Sequence, residues 1–204
     1  MENQFIYSKN VIEFVTVVAE SCLFLENCGE LSKEDFVIKS IKILPLLYLK
    51  TALLDKNQVE TDDIAERFVT EEDYLYIKQQ LETILGTDDA FLDTFHPDMQ
   101  YSDTPIAAFI SENLADIYQE LKDLAANYQI GEESIMESAL VACLQAFEEH
   151  WGQKLLNALR ALHAVRYNDH FGEKEEDNQF NNEDYRKLDR NSFLRFQNDE
   201  DDEI

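Results

Sequence analysis

The chain has 204 residues, with 17 Lys+Arg against 43 Asp+Glu, a formal net charge of −26 and a pI near 4.3. A surface of that average sign repels phosphate, which argues against direct binding to nucleic acid or to an anionic membrane. Five Gly and three Pro leave too little turn chemistry for a many-stranded sheet, while 45% hydrophobic and 11% aromatic residues suffice for a folded core.

Apolar residues recur at spacings of three and four, which predicts an all-α fold. A first helix is expected from about Val11 to Cys28, with Asn10 and Glu13 as a capping box and Gly29 as its terminator. A second should run from Ser32 to about Leu54, with Pro45 kinking it or breaking it in two. A polar connection, Asp55 to Val69, leads to a third helix capped by Thr70, which carries Tyr74, Ile77, Leu81 and Leu85 and stops at Gly86. Residues 87–103, including His96-Pro97, read as a loop. Thr104-Pro105 reads as the cap and first residue of a fourth helix reaching Tyr128, with Ile110, Leu114, Ile117, Leu121 and Leu124 on its apolar stripe. A last helix is expected from Glu132 to Tyr167, with Gly152 as a bend. The expected architecture is a bundle of five or six helices over residues 1–171.

Residues 172–204 differ in character. They hold 12 Asp+Glu and 5 Lys+Arg, punctuated by Phe180, Tyr185, Leu188, Phe193, Leu194 and Phe196. This composition predicts a flexible acidic tail that can dock on a basic groove, in cis or on a partner. The N-terminus has no basic start followed by an apolar stretch, and the segment Ile41–Leu54 is too short to span a bilayer. Cys22, Cys28 and Cys143 lack metal-ligand spacing, so they read as reduced, buried thiols of a cytoplasmic protein.

The sequence contains no Gly-rich phosphate loop, nucleophile elbow, His-Glu-x-x-His or Cys-x-x-Cys. Two constellations carry what chemistry there is. Glu112, Asp116, Glu120 and Asp123 follow spacings of four, four and three on the fourth helix. They read as a solvated face, or alternatively as a site where Asp116 and Glu120 hold Mg²⁺ or Mn²⁺. The stretch from His150 to His170 concentrates Lys154, Arg160, Arg166 and three histidines against a single acid, Asp169. Leu156, Arg160, His163, Tyr167 and His170 form a stripe there, with Lys154, Arg160, His163 and Tyr167 as the candidate groups for an anion or a partner. The plainer expectation is that Arg160 or Arg166 neutralises Asp116 or Glu120 across a helix pair. Glu148-Glu149-His150 has the wrong spacing for a di-iron carboxylate site, and Asp169-His170 reverses the order of a His-Asp phosphohydrolase pair.

Three segments carry a resemblance: Ile41-Lys42-Ile43-Leu44-Pro45-Leu46-Leu47-Tyr48-Leu49-Lys50, Leu114-Ala115-Asp116-Ile117-Tyr118-Gln119-Glu120-Leu121-Lys122-Asp123, and Trp151-Gly152-Gln153-Lys154-Leu155 with Ala158-Leu159-Arg160-Ala161-Leu162-His163. With them the chain resembles an uncharacterised family of all-helical bacterial proteins, a domain of unknown function found chiefly in Bacteroides and their relatives. The resemblance covers roughly residues 5–170, implies a helical bacterial domain and carries over no catalytic residues. The favoured function is a non-enzymatic cytoplasmic binding or regulatory protein with a protein partner and no cofactor. The alternatives are a metal-dependent hydrolase of a phosphorylated small molecule, in which Lys154, Arg160 and His163 contact phosphate beside Asp116 and Glu120, and an acidic mimic of nucleic acid.

Overall fold

The computed structural model describes residues 5–55, 64–93, 101, 103–168 and 171–172. Residues 173–204 of the expected acidic tail, His96-Pro97 and Asp169-His170 therefore lie outside the described residues, while the start of the expected 87–103 loop is not irregular: it holds a 3₁₀ turn at Gly86–Asp89 and a strand at Ala90–Asp93. In chain order the elements are α1 (Lys9–Glu26), α2 (Lys33–Ala52), α3 (Glu71–Leu85), β1 (Ala90–Asp93), β2 (Ile106–Phe109), α4 (Ile110–Ile130), α5 (Glu133–Ala146) and α6 (Gly152–Arg166). The fold is all-α, and among the described residues one short antiparallel hairpin pairs Ala90 with Phe109 and Asp93 with Ile106.

Local chemistry sets each boundary. Ser8, not Asn10, caps α1, its hydroxyl accepting from the Val11 amide, and Gly29 sits in a 3₁₀ turn at Cys28–Glu30 rather than in a left-handed cap. Ser32 caps α2 through the Asp35 amide. The expected break at Pro45 is absent: α2 runs through it unbroken. Pro45 lies on the exposed side, where water can satisfy the Ile41 carbonyl that proline leaves without a donor. Thr70 and Asp73 form a reciprocal capping box at the start of α3.

The fourth helix starts later than the Thr104-Pro105 pair implies, because Ile106–Phe109 pairs as a strand instead. With Phe109 as a cap that has no side-chain acceptor, α4 borrows one from far upstream. Both oxygens of buried Asp89 are used, one taking the Ser111 amide and the other its hydroxyl, each at 2.7 Å. Gly131, at φ 79°, closes α4 in the left-handed conformation that favours glycine.

The long final helix is interrupted by a wider π-type segment at Phe147–Trp151. Trp151, fully buried, donates its indole N–H back to the Cys143 carbonyl at 3.0 Å. A Cβ at residue 152 would stand 2.5 Å from the Phe147 carbonyl oxygen, so the widened turn requires glycine there.

Side-chain links between neighbours fix the helix directions. Lys50 of α2 meets Glu13 of α1, while Glu26 at the end of α1 meets Tyr118 and Lys122 of α4, and Tyr128 of α4 reaches the Ile6 carbonyl. Lys154 of α6 pairs with Asp116 of α4, and Asn157 reaches Asp93 in the hairpin that precedes α4. Tyr48 of α2 packs edge-on against Phe147, just before α6, at 5.2 Å. α1, α2, α6 and α4 thus form a ring in which every neighbour is antiparallel, and α3 and α5 flank α4. The ring encloses Phe14, Val18, Leu47, Leu114, Leu121, Leu155 and Leu162, and Phe36 of α2 stacks its ring on Phe24 of α1 at 5.3 Å.

Candidate partner-binding surface on α2 and α6

Most of the acidic row of α4 is not a solvated face. The 64–70 segment, α3 and α6 cover Asp116, Glu120 and Asp123, Glu112 stays 43% exposed, and each carboxylate is engaged. Glu112 takes Lys78 at 2.7 Å, Asp116 takes the Tyr74 hydroxyl at 2.9 Å and the Lys154 ammonium, and Glu120 takes Arg67 at 3.0 Å. Asp123, buried, receives the Phe68 and Val69 amides at 2.7 and 3.0 Å together with Arg67 at 3.1 Å, which straps the extended 64–70 segment to α4. Asn127 continues the strap, donating to the Glu66 carbonyl and accepting from its amide. Helical spacing reveals that the carboxylates share a side, but not that other elements pack there.

The electrostatic consequences follow the contacts. Hydrogen bonds from Arg67 to Glu120, and then to Asp123, raise the pKa of its guanidinium, and the bond to Glu112 does the same for the Lys78 ammonium. Burial, reinforced by the Asp116 charge, pushes the Tyr74 hydroxyl far up, so it remains a donor. Asp116 and Glu120 therefore sit in two separate ion pairs. Among the described residues no group of three or more His, Cys, Asp or Glu is placed to hold a metal ion.

The expected neutralisation of α4 by α6 is present, but with different partners. Lys154 pairs with Asp116, and Arg67, from the connection before α3, pairs with Glu120. Arg160 and His163 are exposed and make no ion pair with either carboxylate among the described residues. Arg166 instead lies over the rings of Tyr167 and Phe171, at 5.5 and 4.7 Å, and His163 packs on Tyr167 at 4.6 Å. Of the four candidate anion-binding groups, Lys154 is thus spent on Asp116, while Arg160, His163 and Tyr167 share the outer face of α6.

The census of cations marks the surface. Lys9, Lys33, Lys50, Arg67, Lys78, Lys122 and Lys154 are each in an ion pair. Among the described residues Lys39, Lys42, Arg160 and Arg166 have no carboxylate partner, and all of them lie on α2 or α6, which pack side by side.

The same side carries apolar surface that sequence reading missed. Pro45, Leu46, Leu49, Ala52 and Leu53 are exposed, with Leu46, Leu49 and Leu53 at 43, 54 and 53%. At about 100° per residue they fill a sector roughly 120° wide, opposite the core-facing Val37, Leu44, Leu47 and Thr51. Leu156 of α6 adds to it. The signal was present in the i, i+3, i+4, i+7 spacing of residues 42–53, but an apolar stretch with two such faces reads simply as a buried helix.

The fold and this surface define the class: an antiparallel four-helix ring with two flanking helices and an outward-facing cationic and apolar side. The chain belongs to the family described as a domain of unknown function (DUF5063), whose profile matches residues 5–168. It is similar to protein BF1032 from Bacteroides fragilis, whose crystal structure shares 43% sequence identity with it at a TM-score of 0.70, over 79% of this chain and 95% of that one. None of the curated proteins is significantly similar to it. No helix among the described residues is long and apolar enough to cross a membrane.

Proposed function

We propose that the protein is a non-enzymatic binding protein whose partner surface is the α2–α6 side, and that it takes a carboxylate-bearing segment of another protein. One observation carries this reading. In a chain of net charge −26, the described cations left without a carboxylate partner gather on two adjacent helices. Cations left unneutralised on such a protein attract acidic groups to that side, while its net negative charge repels them elsewhere. Cytoplasmic residence fits the three free thiols at Cys22, Cys28 and Cys143. The net charge equally disfavours direct nucleic-acid binding.

The hydrolase and mimic alternatives have less support. The former draws on Asp116, whose two oxygens take Tyr74 and Lys154, and on Glu120, which is paired with Arg67, and the latter needs outward-facing acids where Asp116, Glu120 and Asp123 face their neighbours. The test is a titration of full-length protein into a labelled Glu-rich peptide, followed by fluorescence anisotropy. Binding should weaken steeply between about 50 and 300 mM salt, and Lys42→Glu with Arg160→Glu should cost about tenfold or more in affinity. Binding that ignored both changes would refute the assignment.

A further inference from the structure

We infer that the segment received by the α2–α6 side is amphipathic as well as acidic, its apolar residues seated on Leu46, Leu49 and Leu53 and its carboxylates reaching Lys39, Lys42 and Arg160. This rests on the binding reading above and specifies its partner.

The argument comes from how the two kinds of surface interleave. On α2, Lys42 stands four residues before Leu46 and seven before Leu49, so the cation continues the apolar stripe along the same exposed face. Lys39 lies one turn further toward the N-terminus. Because α2 and α6 are antiparallel neighbours, Leu156 and Arg160 run beside this stripe on the next helix. A helix that is apolar on two opposite faces has one face too many for the core of its own domain, and contiguous exposed apolar surface marks a contact site.

Charge decides between occupants. A second copy of the chain, meeting this side with its own, would bring Lys39, Lys42 and the same leucines, with no carboxylate from the stripe to meet the cations. A nucleic acid would bring phosphates but nothing apolar for Leu49 and Leu53, against a chain of net −26. An acidic amphipathic segment satisfies both halves, as in recognition of helical segments through i, i+3, i+4, i+7 anchors.

The experiment compares two labelled peptides on the full-length protein. One has Leu at i, i+3, i+4 and i+7 with Glu elsewhere; the other replaces each Leu by Gln at equal charge. The amphipathic peptide should bind more tightly by about tenfold or more. Leu49→Gln with Leu53→Gln should abolish that preference while leaving the helical circular dichroism unchanged, since both side chains are exposed. Equal binding of the two peptides would overturn the amphipathic inference and leave the acidic-partner reading intact; failure of both to bind would overturn the two together. Light scattering that showed a dimer dissociated by the leucine substitutions would assign the stripe to a second copy and overturn the inference.

Discussion

Lys154 of α6 donates to one oxygen of the Asp116 carboxylate on α4, while the other oxygen takes the Tyr74 hydroxyl of α3 at 2.9 Å. A single carboxylate thus ties three helices. Both charged side chains are partly shielded, 19% exposed for Asp116 and 30% for Lys154. Asp116→Ala should cost about 2–3 kcal/mol, because it leaves Lys154 and Tyr74 without their acceptor. A double-mutant cycle with Lys154→Met should show a coupling of about 1 kcal/mol or more, read from denaturant unfolding.

Asp89 acts as the missing cap of α4. Replacing it by Ala removes acceptors from both the amide and the hydroxyl of buried Ser111. A loss of about 1–3 kcal/mol is expected, with hydrogen exchange speeding up first in the opening turn of α4. Unchanged protection at Ser111 would show that another group caps the helix.

Acid should erode the start of α3. The Thr70 hydroxyl and amide donate to Asp73 and hold its carboxyl below the ordinary carboxylate range. A depressed folded-state pKa stabilises the protein above the unfolded-state value, and that contribution disappears as pH falls through the folded-state value. Asp73→Asn should therefore be less stable than wild type at neutral pH, and the gap should close in acid. A gap independent of pH would remove the capping-box charge from the account.

The cysteines should be inert while the protein is folded. Burial pushes the Cys22 thiol up to about 12 and the Cys28 thiol up to about 11, and shifts Cys143 further in the same direction. At about pH 8 a disulfide reagent should label none of the three within minutes and all of them in denaturant. Rapid labelling of any one in the native protein would show local opening around it.

The sequence reading and the structure agree where the governing interactions are local. Ser32 with Asp35 and Thr70 with Asp73 are caps acting across three residues, and the stripe from Ile110 to Leu124 faces inward as its period requires. They part where a partner lies far along the chain. The cap of α4 comes from Asp89, 22 residues before Ser111, so Thr104-Pro105 looked like the better start. Arg67 reaches Glu120 and Asp123 across more than fifty residues, which packs the later part of an acidic row whose spacing alone reads as solvent-exposed. At Pro45 only the break is excluded, since a proline on an exposed helix face costs less than one turned inward and α2 continues through it. On the candidate surface, Arg160, His163 and Tyr167 were legible as a stripe. Lys39, Lys42 and the outer leucines of α2 emerged only once the core-facing side of that helix was known.

The most direct test of the α2–α6 surface is an amide-resolved NMR titration of full-length protein with the acidic amphipathic peptide. Shift changes concentrated on residues 39–53 of α2 and 156–167 of α6, and lost in Lys42→Glu/Arg160→Glu, are the expected result. Changes centred on α3 or α5, or none at peptide excess, would contradict it.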